Sequence, residues 1–231
     1  MSLHKTLPIQ SQLKGCIAQK DKVIYWLNES DWRFKKDPET VSIGLTVDGG
    51  YSLVSDIFST LRYEKQWVKI GGVACQIDSI NTDTNTATLV ANDQLDALDL
   101  VTGTQDVEFG AVLNGYDGTV RVYCPNFYIK SVINGTKRRV WISTVKIDNS
   151  YTYQPEILID AYRSTVLNTV PENMGYLSTL PVNSAISVVN TNAYCRGGGN
   201  RSESDQYLAT DPFRTDLGKP RTNISRATMR T

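Results

Sequence analysis

The segment that most restricts the fold of this chain runs from Val120 to Val145, where two β-branched and aromatic stretches flank the dipeptide Asn134-Gly135. Such residues fit a pleated, half-buried surface. Asn-Gly is the pair that a type I′ hairpin turn asks for, because both central residues need positive φ. The pattern predicts a long hairpin from Val120-Arg121-Val122-Tyr123, residues 126–133 and residues 136–145. Cys124-Pro125 should break or edge the incoming strand, since proline has no amide hydrogen to offer a ladder.

Short apolar runs bounded by turn residues recur through the rest of the chain. Residues 15–18 and 22–27 read as a first hairpin joined through Gln19-Lys20-Asp21. Residues 41–47 read as a strand, followed by a turn at Asp48-Gly49-Gly50, where successive glycines accept positive φ without steric cost. Residues 66–70, 73–80 and 86–90, separated by Gly71-Gly72 and by 81–85, form a meander pattern. Residues 156–162 read as a further strand, and Gly197-Gly198-Gly199 lies in a glycine-rich loop. Helix is expected in three places. Leu53, Val54, Ile57, Phe58 and Leu61 recur at helical spacing within 52–62. Residues 92–100 allow two turns capped by Asn92 or Asp93, and Ser225 can cap a first turn over 226–230. The fold class is mainly β with minor α, with short β hairpins and an inserted β-rich module. A helix as short as 226–230 cannot stand alone. The fold is therefore expected to continue past Thr231 or to be completed by a partner chain, which points to an assembly protein before an enzyme.

With 231 residues, 40% of them hydrophobic, the chain can bury a sizeable core. No run approaches the roughly 20 apolar residues of a membrane span, and the N-terminus lacks an apolar signal core. No membrane insertion is expected, nor secretion by a signal peptide. Lys plus Arg and Asp plus Glu balance at 24 each. No polybasic stretch marks a nucleic-acid partner. From Ile70 to Val120 there is no Lys or Arg, while Asp78, Asp83, Asp93, Asp96, Asp99, Asp106, Glu108 and Asp117 fall within that span. One face of the middle of the chain should therefore be acidic, a solvated face by default, or one that meets a cation or a basic neighbour.

Chemistry-bearing residues are sparse. Cys16, Cys75, Cys124 and Cys195 make no CxxC pair, and their neighbours place them at strand positions that suit a small, reduced, buried thiol. The one histidine, His4, sits in what should be a mobile arm, which leaves little room for Ser-His, Cys-His or His-ligated metal chemistry. Residues 81–85 match the start of a calcium loop, but Thr86 and Asn92 stand where an EF-hand needs Gly and Glu, so a hairpin turn is the better reading. Gly197-Gly198-Gly199-Asn200-Arg201 lacks the strand, helix and GK[ST] context of a phosphate site. Lys137-Arg138-Arg139 reads as a solvated rim, and Asn134-Gly135-Thr136 as a turn rather than a glycan acceptor. Trp26, Trp67, Trp141 and the tyrosines read as core or interface packing. Trp32 beside Arg33 is the best candidate for an exposed glycan or partner contact. Catalytic, cofactor-binding and metal residues are expected to be none.

Several blocks resemble tailed-phage fibre and tail-tip proteins: Asp117-Gly118-Thr119-Val120 with Pro125-Asn126-Phe127-Tyr128, Trp141-Ile142-Ser143, Pro155 with Ile159-Asp160-Ala161-Tyr162, and Pro220-Arg221-Thr222-Asn223 with Ser225-Arg226-Ala227-Thr228-Met229-Arg230. In that family, similar blocks in this order open a C-type-lectin-like domain related to the sulfatase-modifying-factor fold. Leu7-Pro8-Ile9-Gln10, Gly15-Cys16 and Tyr25-Trp26-Leu27-Asn28 are similar to the N-terminal opening of the same proteins, particularly fibres of phages of gut Bacteroidetes, crAss-like phages among them. The resemblance covers 7–35 and 115–231. The chain departs from it at Cys124 and Asn126, and the later lectin segment would follow Thr231.

The resemblance implies a virion structural protein, a head or tail fibre subunit that acts in host attachment and is not an enzyme. It implies an attachment arm and first hairpin over 1–38, an inserted β-rich module over 39–112 and a partial C-type-lectin-like domain over 113–231. Expected partners are the chain itself in a homotrimer, other structural proteins of capsid or tail, and a host surface receptor reached through a distal part. Expected localisation is the virion, assembled in the bacterial cytoplasm. Leu3, Leu7, Pro8 and Ile9 are the apolar anchors of an otherwise polar arm that would gain order by binding. Two rivals remain: a monomeric glycan-binding module, and a sulfatase-modifying-factor-like oxidase, which would need a closely placed cysteine pair.

Overall fold

The computed structural model describes residues 9–47, 51–60, 63–90, 93–96, 103–162, 165–167, 175–182, 184–188 and 195–196. The fold is mainly β with minor α. In chain order the strands are β1 (Lys14–Gln19), β2 (Lys22–Trp26), β3 (Glu39–Val47), β4 (Tyr51–Val54), β5 (Trp67–Ile70), β6 (Val73–Asn81) and β7 (Thr86–Leu89). A one-turn helix, α1 (Asp93–Asp96), precedes β8 (Gly103–Phe109), β9 (Thr119–Cys124), β10 (Phe127–Asn134), β11 (Lys137–Ser143), β12 (Thr152–Gln154), β13 (Ile157–Asp160), β14 (Thr165–Leu167), β15 (Ala185–Ile186) and β16 (Cys195–Arg196). Single 3-10 turns cover Gln10–Gln12, Asp56–Ser59 and Gly175–Thr179. The chain divides into two compact units, one made of 1–24 with 113–231, the other of 25–112.

The second unit is a closed barrel, β3-β4-β7-β6-β5-β8, antiparallel at every pair. Closure comes from β8. It pairs with β3 from Glu39↔Phe109 to Leu45↔Gly103 and with β5 from Val68↔Phe109 to Ile70↔Val107, so no strand keeps an open edge. Alternate residues point inward and fill the barrel: Val68 and Ile70, Cys75 and Ile77, Ala87 and Leu89, Val107 and Phe109, with Ile43 and Leu53. Phe58, from the 3-10 turn, meets Phe109 edge to face at 6.3 Å.

The meander over 66–90 is present as β5, β6 and β7. The helix expected over 52–62 is not: β4 ends at Val54 and Ser55 caps the 3-10 turn, its hydroxyl accepting from the Ile57 amide at 3.4 Å. The reason is tertiary. Leu53 is buried at strand spacing opposite Ala87 while Phe58 drops into the barrel end, so a strand followed by a tight turn reproduces the spacing of a helix. In the 81–85 turn, Asn81 Oδ1 accepts from the Asp83 and Thr84 amides at 3.0 and 3.1 Å, and Asn85 takes a positive φ of 53°. Only Asp93–Asp96 of the expected 92–100 helix is described, as one turn. The turn at 48–50 and the helix at 226–230 lie outside the described residues.

Residues 25–38 go with the barrel, which is why this unit begins at Tyr25 rather than at residue 39. Leu27 and Phe34 are buried, the Ala111 amide donates to the Arg33 carbonyl at 2.8 Å, and the Val112 amide donates to Tyr25 Oη at 3.1 Å. Gly110 makes this close approach possible: a Cβ there would lie 2.6 Å from the Arg33 carbonyl and 2.7 Å from that of Trp67.

Among the described residues the first unit carries three antiparallel sheets, β13-β9-β1-β2, β15-β14-β16 and β11-β10-β12. In the first, β9 runs between β1 and β13, burying Cys16, Ile17, Ala18 and Val120. Gly118, at φ 151°, lets the chain pass over Ala18, whose carbonyl a Cβ would meet at 2.6 Å. Leu167, Leu177, Ile186 and Val188 form a small core beside it. Ser187 ties the two together: its carbonyl accepts from the Val120 amide at 2.7 Å and its hydroxyl from the Tyr162 amide at 2.9 Å.

The long hairpin differs from expectation in two ways. β9 pairs elsewhere, so the hairpin is β10 with β11 alone. Asn134 pairs with Lys137, which leaves Gly135-Thr136 as the two-residue turn. Gly135 has φ 62° and Thr136 has no positive φ, the signature of a type II′ turn, in which glycine takes the first central place. Pro125 does end β9, as its missing amide requires.

Candidate functional site

The β11-β10-β12 sheet is where the chain departs from ordinary burial. Strand alternation sorts its side chains onto two faces. From the register, Ile129, Ile133, Val140 and Ile142 share one face with Ser131 and Arg138, while Tyr128, Lys130, Val132, Lys137, Arg139, Trp141 and Tyr153 share the other. A sheet with one solvated face alternates apolar with polar. Here both faces carry large apolar groups, and they are open to solvent: Ile133 is 72% exposed, Tyr153 52% and Val140 47%.

The two faces have different chemistry. The first is aliphatic, with one cation, Arg138, whose guanidinium donates to Ser131 Oγ at 2.8 Å across the strands. The second is aromatic and basic. Tyr128 and Tyr153 meet edge to face at 5.5 Å, and Lys130 Nζ lies 5.7 Å from the ring centroids of both Trp141 and Tyr151. At its margin Asp148 caps the 148–151 turn, and hydrogen bonds from the Ser150 hydroxyl and amide hold its carboxyl below the usual carboxylate range. At the base, Tyr123 Oη donates to Glu156 Oε2 at 2.6 Å, and that bond pushes the phenol above its ordinary value.

Among the described residues, the outer strands β11 and β12 each keep one unpaired edge. Lys137, Arg138 and Arg139 on β11 guard one of them by charge. The solvated rim expected for these residues fits their exposure. Sequence reasoning took this stretch for a hairpin but did not foresee that its apolar side chains are unburied. The signal was apolar residues at consecutive positions, Val132-Ile133 and Val140-Trp141-Ile142, which alternation necessarily divides between two faces.

A second feature of the same unit is an open groove lined by Gln19, Lys20, Lys22, Tyr116, Tyr176 and Thr179. The Lys20 amide donates to Tyr176 Oη at 3.2 Å, and the Tyr176 amide to the Tyr116 carbonyl at 2.7 Å. Gly175, at φ 51°, leaves room for the Tyr116 ring, which a Cβ would meet at 2.5 Å.

Of the residues singled out from sequence, Trp32 is half-buried in the 31–34 turn. Arg33 is engaged locally: it forms a forked ion pair with Asp31, Nη2 to Oδ2 at 2.8 Å, and its guanidinium lies 4.4 Å from the Trp67 ring centroid. That pairing holds the Asp31 carboxyl below its ordinary value and Arg33 above its own. Ile9 is buried, and the Gln12 amide donates to its carbonyl at 3.1 Å. Leu3, Leu7, Pro8 and His4 lie outside the described residues.

Cys16, Cys75 and Cys124 are buried free thiols in or at the end of strands, and burial pushes Cys16 and Cys75 each up to about 11. Among the described residues no three His, Cys, Asp or Glu side chains come together as metal ligands, and no helix is long and apolar enough to cross a membrane. Comparison with protein-family models, with curated proteins and with solved structures finds no match for this chain.

Proposed function

We propose that the chain is a virion structural protein of a tailed phage, a fibre subunit assembled as a homotrimer in the bacterial cytoplasm. Its N-terminal part anchors to capsid or tail, and its distal part contacts the host surface. The observation that carries this reading is the β11-β10-β12 sheet, with large apolar side chains exposed on both faces. A three-stranded sheet of this kind is stabilised by burial against neighbours, and such a surface on a soluble protein marks a protein–protein contact. The ordered sequence blocks that resemble fibre proteins supply the type of assembly, and the partial C-type-lectin-like domain over 113–231 belongs to the same proposal.

Two measurements test it. Light scattering on the purified chain should give about three times its 25.7 kDa mass; a stable monomer at tens of micromolar sinks the trimer. Removing residues 1–8, which stops short of buried Ile9, should leave a folded protein that no longer enters virions. Normal incorporation of that truncated chain overturns the anchoring role of Leu3, Leu7 and Pro8.

A second reading has one observation of its own. The groove beside Tyr116 and Tyr176 offers aromatic and amide groups of the kind that hold sugars, which favours a monomeric glycan-binding module. Monomeric mass with saturable binding to a glycan panel, lost in Tyr176→Ala, would select it.

A further inference from the structure

Charge is segregated along this chain into an acidic span followed by a basic one. From Ile70 to Asp117 there are eight acidic residues and no Lys or Arg. From Gly118 to Ile147 there is no Asp or Glu, while Arg121, Lys130, Lys137, Arg138, Arg139 and Lys146 all fall there. The first span supplies β6 to β8 of the barrel and the second supplies β10 and β11 of the open sheet.

On the barrel, two of the acids are matched locally, Asp78 by Lys65 and Glu108 by Lys69. Asp56, Asp83 and Asp93 remain exposed, and no cation among the described residues bridges them. Asp56 and Asp83 belong to one end of the barrel, because Asn85 donates from Nδ2 to Asp56 Oδ1 at 3.0 Å and takes the Ser55 amide on its carbonyl at 3.0 Å. On the sheet, Lys130, Lys137 and Arg139 stand on the same face as Trp141 and Tyr153.

We infer that the aromatic and basic face of the sheet docks on the acidic barrel surface of a second copy of this chain. The inference rests on the assembly reading above and names what covers the sheet. Self-pairing of the basic face would set Lys130, Lys137 and Arg139 against their own copies, which like-charge repulsion opposes. Two unlike surfaces on one chain make a head-to-tail contact, and a head-to-tail contact that closes on itself makes a ring such as a trimer. Desolvated charge pairs set orientation, while burial of Trp141, Tyr153 and Val132 supplies the hydrophobic part.

The test is a charge swap read by light scattering on the full chain across a salt series. Lys137→Glu with Arg139→Glu alters only exposed side chains near a turn, so the chain should stay folded, which far-ultraviolet circular dichroism checks. Its oligomer should weaken by roughly tenfold or more in dissociation constant. Asp56→Lys with Asp83→Lys, which share one end of the barrel, should weaken it similarly in a second sample, and mixing the two variants should restore association in pairs or even-membered assemblies, since each supplies the surface the other has reversed while an odd ring keeps one like-charged contact. The wild-type oligomer should loosen as salt rises from about 0.05 to 0.5 M. An oligomer unchanged by the sheet reversal, or no association on mixing, overturns this inference while leaving the assembly reading standing. A wild-type monomer at every concentration and salt overturns both. Wild-type monomers that bind an acidic polysaccharide through the sheet, with Lys137→Glu/Arg139→Glu abolishing the binding, would assign this face to a glycan instead.

Discussion

The barrel and the β11-β10-β12 sheet are made of the same materials and end in opposite states. Both are antiparallel, both are rich in Val and Ile, and their strands run to four to nine residues in the barrel and three to eight in the sheet. In the barrel, β8 joins the two ends of the ladder, so every strand has two neighbours and the inward set meets itself across the interior. Among the described residues the sheet has no closing strand, which leaves the outer edges of β11 and β12 unpaired and both faces carrying exposed apolar groups. Stability of a β element therefore depends less on its residues than on whether the ladder closes over them. What the sheet lacks in internal burial is what the proposed self-association would supply.

Perturbation of the two regions should separate them sharply. The largest effect is expected in the barrel, where Phe109→Ala removes a fully buried ring that contacts Phe58 and should cost about 3–5 kcal/mol in urea unfolding followed by tryptophan fluorescence. A loss below about 1 kcal/mol would mean that the barrel interior is not packed as described. Next come the glycines. Gly110→Ala sets a methyl against two backbone carbonyls and should cost about 1–3 kcal/mol, whereas Gly135→Ala has open space around its Cβ and pays only for positive φ, about 1 kcal/mol. Equal costs at the two positions would erase the contrast.

Smaller still is the effect of Ile133→Ser with Val140→Ser on the open sheet. Monomer stability should change by about 0.5 kcal/mol or less, because neither side chain is buried, while the proposed oligomer, followed by light scattering, should weaken. A large loss in the unfolding curve would show that the sheet is packed in the monomer.

The pH response gives the finest distinction. Cys75 has a folded value raised from 9.0 to about 11, so the stability it contributes is complete below pH 9 and is lost as pH rises toward 11. Alkylation of Cys75 by iodoacetamide at pH 8 should accordingly be slow until denaturant opens the barrel, and prompt labelling of the native protein would contradict that. Asp31 moves the other way. Its carboxyl is lowered from 3.8 by Arg33, so the pair contributes above that value and is lost as pH falls through the lower folded one. Both side chains are about a third exposed or more, so Asp31→Asn should cost at most about 1 kcal/mol.

Much of the local structure was legible in the residues. The hairpin of β1 with β2, the meander of β5 to β7, the stop at Pro125 and the strand at β13 all follow from β-branched runs and turn residues acting over a few positions. The Asn81 turn follows from the reach of an Asx side chain to amides two and three residues on. Where sequence reading failed, a distant partner had decided. The 52–62 stretch has helical spacing, yet Leu53 is claimed by Ala87 across the barrel and Phe58 by Phe109, residues more than 30 positions away. The Asn134-Gly135 pair asks for a type I′ turn, yet the register that pairs Tyr128 with both Ser143 and Tyr153 shifts the turn by one residue.

The candidate site was half legible. Lys137, Arg138 and Arg139 were visible as a rim, and the acidic middle span was visible as a charge run. Their exposure together with bare aliphatic and aromatic faces was not, because whether Ile133 is buried depends on what else folds over it.

By itself, then, the sequence determined which segments extend, where proline and glycine interrupt them, and that acidic and basic residues occupy successive spans, because those properties arise from each residue and its near neighbours. Only the tertiary structure decided that β8 closes a barrel around residues 39–109, that β9 leaves the hairpin to join β1 and β13, and that β10 to β12 keep apolar side chains exposed on both faces. Those outcomes depend on pairings between strands far apart in the chain, and it is the pairing of strands, not their composition, that determines which apolar faces water reaches.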